Sequence, residues 1–195
     1  MSDLPGRQRR PRADGERSRA AVLTAAIDLL ARRPQANMAE IAAAAGVARQ
    51  TVYAHYPSRD TLVAAILEHV TGETIAVFDR LDIGGLAPPD ALGRWADASW
   101  QVLARYPILL TEAVSRPPAA DEPGRHQPIT GLLVRILERG RADGQFDDGR
   151  PLSWQIAAIV ALGHAAAQEV AAARMSLDEA GEAFREGVLR LTTGA

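Results

Sequence analysis

NMAEIAAAAGVARQTVYAHYP, running from Asn37 to Pro57, is the stretch whose reading decides the fold. Ile41, Ala42 and Ala45 make an apolar stripe at helical spacing on a first short helix. Asn37, with Glu40 three residues on, is close to a capping box, so that helix has a defined start. Gly46 ends it, because a residue without a Cβ takes left-handed backbone at little cost. Val47 follows as a buried plug. Val52 and Tyr56, four apart, give the second helix its inward face and leave Arg49, Gln50, Thr51, Tyr53 and His55 on the others. A short helix with a basic, amide and hydroxyl surface suits a polar, anionic partner. This is the sequence form of a helix-turn-helix, whose second helix enters the DNA major groove. The plainer alternative is a helical hairpin in any all-α protein.

The flanking residues narrow the choice. AEIAAAAGVARQTVYAHYPSRDTLVAAI, from Ala39 to Ile66, resembles the DNA-binding segment of the TetR-like transcriptional regulators. RSRAAVLTAAIDLLARR, from Arg17 to Arg33, is similar to that family's first helix, and Pro57, Ser58 and Arg59 lead into its fourth. The resemblance covers residues 17 to 70 or so; beyond them only length and helical character agree. Three positions depart from the family pattern. Ala48 stands where Ser or Thr is usual, and it can neither cap the recognition helix nor donate to a phosphate. Arg59 stands where Lys is common, and meets a phosphate as a bidentate fork instead. The link from Pro34 to Asn37 is short.

The 195 residues suit one domain or one and a half, and 47% hydrophobic with 24% charged residues is ordinary for a globular protein. With no Cys, disulfides, thiolate catalysis and Cys-ligated zinc are excluded. The N-terminus has basic residues without an apolar run behind them, so it is no secretory signal. The longest apolar stretch, Ile156 to Ala173, is interrupted by His164, Gln168 and Glu169 and is too polar to span a membrane. A cytoplasmic protein without a membrane partner is expected. The net charge of −2 conceals an asymmetry: residues 1–60 hold 10 Arg against 6 acids, and the remainder 12 against 18. A basic head on an acidic body is the footprint of a protein that docks one end on nucleic acid.

Residues 1–15 read as a basic, disordered arm, either lying along DNA or simply solvated, and residues 16–60 as the helix-turn-helix domain. Residues 61–195 read as a ligand-binding and dimerisation domain. The chain is expected to be all-α, with about nine helices. The first spans 16–33, with Val22, Ala26, Leu29 and Leu30 inward. Ser58 is a good N-cap for a helix over 59–80, with Leu62, Ile66, Val70 and Val77 on its buried side. DIGGLAPP, from Asp82 to Pro89, marks a loop. Further helices are expected over 89–105, from Pro107 to Arg116, over 125–142, 151–174 and 176–192, with a Pro-rich loop at 117–128. The helix at 151–174 is apolar nearly all round and rich in small residues, so it must be covered on several sides. The last helix sets Leu177, Ala180, Phe184, Val188 and Leu191 on one face. The family builds its homodimer from the last two helices, and this pattern suits that; burial within one subunit is the alternative.

No enzyme motif is present, and no cofactor is implied: there is no HExxH, phosphate loop or nucleophile elbow. His69 and Glu73, four apart, could share a metal, but such pairs are usually a solvated face, and no metal site is expected. Trp95, Trp100, Tyr106 and Trp154, with Glu112, His126, Gln155 and His164 as polar contacts, could line a ligand pocket, or be plain core. The resemblance implies a homodimeric repressor that binds a near-palindromic operator and responds to an unidentified small molecule. Arg49 and Gln50 are then the candidates for base edges, and Thr51, Tyr53, His55 and Arg59 for phosphates. A helical ligand-binding or adaptor protein that no longer binds DNA is the other possibility, with Ala48 as its support.

Overall fold

The computed structural model describes residues 10–111 and 122–193, with side chains for 14–109, 111 and 130–193. The helices are α1 (Arg10–Arg32), α2 (Met38–Ala45), α3 (Arg49–His55), α4 (Arg59–Phe78), α5 (Pro88–Arg105), α6 (Glu122–Ala142), α7 (Leu152–Ala171) and α8 (Leu177–Thr193). A single 3-10 turn, Pro107–Leu110, follows α5. Among the described residues there is no strand, and the chain is all-α.

The local signals explain the head. The Asn37 side chain accepts from the backbone N–H groups of Ala39 and Glu40, and Glu40 accepts from the Asn37 N–H at 2.8 Å, which completes the capping box. Gly46 adopts the left-handed conformation, φ 66°, and closes α2. Ala36 and Met38 are buried, which is how the short link after Pro34 is accommodated. Ser58 caps α4 by accepting from the Thr61 N–H. Ala48 caps α3 with no side-chain hydrogen bond.

The cap at Asn37 carries a pH signature. The Asn37 N–H, and then the Arg33 guanidinium, hold the Glu40 carboxyl below the usual carboxylate range. A group whose folded pKa is lowered contributes stability above its unfolded pKa and loses it as pH falls through the folded one. Glu40→Gln keeps an acceptor oxygen without the charge. Wild type should therefore exceed Glu40→Gln in stability at neutral pH, with the gap closing in acid below the usual carboxylate pKa. Urea titrations of both proteins across that range check it. A gap that widened in acid would refute it.

Two apolar clusters are packed along α4. The first joins Val22, Ala26 and Leu30 of α1 to Ile41, Val52, Tyr56, Leu62, Ile66 and Val70, and it also takes in Val102, Tyr106 and Ile108. The second joins Phe78 to α5, α6, α7 and α8 through Leu92, Trp95, Leu133, Leu137, Ile159, Phe184 and Val188. Thus α4 begins in one core and ends in the other. By length and composition α4 is apolar enough to cross a membrane, with a mean hydropathy of 1.4 over its best window. Its buried apolar residues Leu62, Ile66 and Val70 join the first core and Phe78 the second.

Several boundaries differ from expectation. Of the arm, residues 1–9 lie outside the described residues, while α1 begins at Arg10; Pro11 sits in its first turn, where a missing N–H costs nothing. The helix expected from Pro107 to Arg116 is only a 3-10 turn, which Thr111 ends in extended backbone; residues 112–121 lie outside the described residues. Val47 is half-buried rather than a full plug. Leu177, expected on the inward face of the last helix, is 46% exposed at its N-terminus, while Ala180, Phe184 and Val188 are buried as the periodicity predicts.

The small residues of α7 divide between two faces. Gly163, Ala166 and Ala167 are buried, and a Cβ on Gly163 would sit 3.4 Å from Phe184 of α8. Trp154, Ala157, Val160, Ala161, His164 and Ala165 face outward and are exposed. After α7, Ala173 holds φ 54°, a left-handed conformation that disfavours any residue with a Cβ. Ala173→Gly should stabilise the chain by roughly 0.5–1 kcal/mol, the relief of that strain less the greater unfolded entropy of Gly. Thermal unfolding measures it, and a lower midpoint would show the turn to be unstrained.

Candidate nucleic-acid interface

The candidate interface is the outer face of α3. Val52 is fully buried and Tyr56, at the C-cap, is 2% exposed, so the inward face is anchored at both ends. This leaves Arg49, Gln50 and Tyr53 exposed side by side, with Thr51 half-buried. Arg49 and Tyr53, one turn apart, are joined: Arg49 Nη2 donates to the Tyr53 hydroxyl at 3.3 Å, and the guanidinium lies 5.4 Å from the ring centre. This pairing holds an otherwise mobile Arg against the helix without consuming its remaining donors.

His55 and Arg59 are placed differently. The Ser18 hydroxyl and His55 Nε2 share a hydrogen bond of 2.5 Å, which fastens the end of α3 to α1. Tyr56 completes the seam: its hydroxyl donates to the Arg19 carbonyl at 3.4 Å, and the Arg19 guanidinium lies 5.8 Å from its ring centre. Arg59 Nη2 donates to the Pro34 carbonyl at 2.6 Å and so ties the start of α4 to the link between α1 and α2. Both side chains therefore set the pose of α3, and Arg59 keeps further N–H donors for an anion. The roles of Ser18 and Arg19 carry no sequence signal, because the contacts close over 37 residues.

The candidate ligand residues are not brought together. Trp95 is buried against Phe78, with ring centres 6.2 Å apart, in the second core. Trp100 packs on Phe184 and donates to the Leu177 carbonyl at 3.0 Å. Tyr106 belongs to the first core, edge-on to His69. Trp154 is 49% exposed beside Arg150, and His164 is exposed on the outer face of α7. Gln155 is fully buried but already paired: its Oε1 accepts from Arg141 and its Nε2 donates to the Asp147 carbonyl. Glu112 lies outside the described residues, as does the side chain of His126. Aromatics at helical spacing here are core and surface rather than one lining. A cleft of about 390 Å³ opens between α1 and α4 beside Glu16, Tyr56, Glu68 and His69, and one of about 150 Å³ between α4 and α5 beside Glu73, Arg105 and Tyr106. Glu73 pairs with Arg105 at 3.6 Å rather than sharing a metal with His69.

The chain is similar to several known proteins. Residues 22–66 match the model of a family described as bacterial regulatory proteins, tetR family. The transcriptional repressor LfrR of Mycolicibacterium smegmatis is 46% identical over 67 residues, which are 34% of this chain and 35% of LfrR. The repressor Rv3405c of Mycobacterium tuberculosis is 35% identical over 116 residues, 55% of this chain and 59% of that protein. The chain thus spans between about a third and three-fifths of the curated relatives it matches. Among solved structures, LfrR from Mycobacterium smegmatis in complex with proflavine aligns with a TM-score of 0.69 at 29% identity, over 89% of this chain and 94% of that one. A tetR-family regulatory protein from Rhodococcus RHA1 aligns at 0.72 over 91% and 98%, and at 22% identity it speaks for the fold alone.

Proposed function

We propose, for a chain whose residues 22–66 are a TetR-like helix-turn-helix domain, that the protein is a homodimeric, ligand-responsive repressor of transcription. The curated relatives are named as transcriptional regulators and repressors. Two α3 helices enter successive major grooves of a near-palindromic operator. The observation that carries this is the outer face of α3: Arg49, Gln50 and Tyr53 exposed together on a helix whose inward face is buried at Val52 and Tyr56. Arg pairs with guanine and Gln with adenine in two-point contacts, so Arg49 and Gln50 read bases. Thr51, Tyr53 and Arg59 meet phosphates, which fix register without carrying sequence, while His55 holds the end of α3 to Ser18. A soluble, cytoplasmic location goes with this role.

The dimer forms through α7 and α8, where the outer face of α7 exposes Ala157, Val160, Ala161 and Ala165 beside Trp154 and His164. An effector in the body alters the spacing of the two heads through α4, which runs from one core to the other. The coupling is reciprocal, so operator DNA weakens effector binding by the same factor.

The test of DNA binding is its salt dependence. With about three phosphates per subunit neutralised by Arg residues of the basic head, Arg59 among them, operator affinity should fall roughly 10³-fold between 50 and 200 mM salt. Fluorescence anisotropy on a footprinted site measures it. An affinity independent of salt would favour instead a helical binding or adaptor protein, the reading to which the uncapped Ala48 lends support.

A further inference from the structure

Among the described residues, three buried side-chain nitrogens lack a hydrogen-bond partner: Trp95 Nε1, Arg139 Nε and Arg141 Nε. The two guanidinium groups are otherwise committed. Arg139 donates to the Gly84 and Leu86 carbonyls, and Arg141 to the Arg150 carbonyl and to Gln155 Oε1. The Trp95 indole has one donor only, and that donor is the one left over, on a side chain 5% exposed. Trp N–H groups usually find an acceptor when buried, and an orphan in a native core calls for an explanation.

The surroundings narrow the acceptor. Trp95 packs in the same cluster as Phe78, Leu133, Ile136 and Ile159. The buried polar residues described are Thr74, Gln155 and Thr192, and each is already hydrogen-bonded within the chain. No buried carboxylate stands among them to pair with a cation. A charged ligand would be desolvated there without a counter-charge.

We propose that the Trp95 indole N–H is the anchoring donor for the effector, and that the effector is an uncharged, mainly apolar molecule with one hydrogen-bond acceptor, such as a ketone, ester or ether oxygen. This rests on the reading of the body as an effector domain. A site that offers one buried donor discriminates against an otherwise identical molecule with no acceptor, because the donor is then left unpaired. Phe78, the last residue of α4, is in ring contact with Trp95, so a ligand at the indole acts on the helix that leads to the head.

Two tricyclic probes of the same size test this, 9-fluorenone with a carbonyl acceptor and fluorene with none. The full chain, labelled with nitrogen-15, gives three indole N–H signals, one for each Trp. The signal missing in Trp95→Phe is that of Trp95. Fluorenone should move this signal downfield and bind wild type about five- to tenfold more tightly than fluorene. In Trp95→Phe that preference should vanish while fluorene still binds. Equal binding of both probes, binding of neither, or a fluorenone complex that leaves the signal in place would overturn the proposal. The shift is read on wild type, so it decides the matter even where Trp95→Phe folds poorly. Operator release, followed in the same titration, separates the two readings: fluorenone bound at Trp95 with the operator retained leaves the anchoring role and removes the effector role.

Discussion

Arg49→Ala should lower operator affinity by about 1–3 kcal/mol and relax the base preference at one position of each half-site. The geometry argues for it. Arg49 is the first residue of α3, so in the proposed complex its side chain leaves the helix at the end that enters the major groove. It is exposed, and its guanidinium is steadied by the Tyr53 hydroxyl and ring. A steadied guanidinium loses less rotamer freedom when it engages a guanine, which makes the truncation costlier. Tyr53→Phe removes the hydroxyl and keeps the ring. It should weaken all sequences about equally, since a phosphate contact carries no base information. Because the two side chains touch, the double variant should fall short of the sum of the single effects. A binding selection on randomised half-sites with each variant decides this. Unchanged preference in Arg49→Ala together with altered preference in Tyr53→Phe would reverse the two roles.

Ala161→Glu should convert the protein to monomers and with them abolish tight operator binding. Within the subunit Ala161 is exposed on α7, flanked one turn to either side by Ala157, Ala158, His164 and Ala165, so the Glu costs the isolated fold little. In a dimer through α7 and α8 the same carboxylate is buried at the seam twice over, once from each subunit. An uncompensated buried charge costs about 3–5 kcal/mol, enough to separate a dimer of ordinary affinity. Each released head then meets a half-site alone, without the second binding event that linkage makes local. Sedimentation at micromolar concentration reads the assembly, and circular dichroism confirms that the subunit stays folded. A wild-type monomer under the same conditions would remove the dimer from the proposal.

The features legible in the sequence share one property: they act over three or four residues. The capping box at Asn37 and Glu40, the left-handed Gly46, the Ser58 cap and the inward pair Val52 and Tyr56 all stand in the structure where local chemistry places them. Each depends on a helix period or a single backbone angle, and these are written into neighbouring residues. The same reasoning failed where a segment had no period to follow. Pro107 starts only a 3-10 turn, and its neighbours Tyr106 and Ile108 are drawn into the core of the head. Tyr106 read as a pocket aromatic because composition does not say which of two cores an apolar ring joins.

The chain's own residues, taken in order, determined the helices, their caps, the exposed face of α3 and the small-residue character of α7. Tertiary structure decided what those faces meet. It set Ser18 on His55 and Arg59 on the Pro34 carbonyl, and so made pose-setting contacts of two side chains assigned to phosphates. It dispersed the aromatics between two cores and the surface, and it left the indole N–H of Trp95 buried without an acceptor. The physical reason is the range of the interactions. Hydrogen bonds and ring contacts between residues 25 to 37 apart leave no periodic trace, and they exist only once helix packing has brought the partners together.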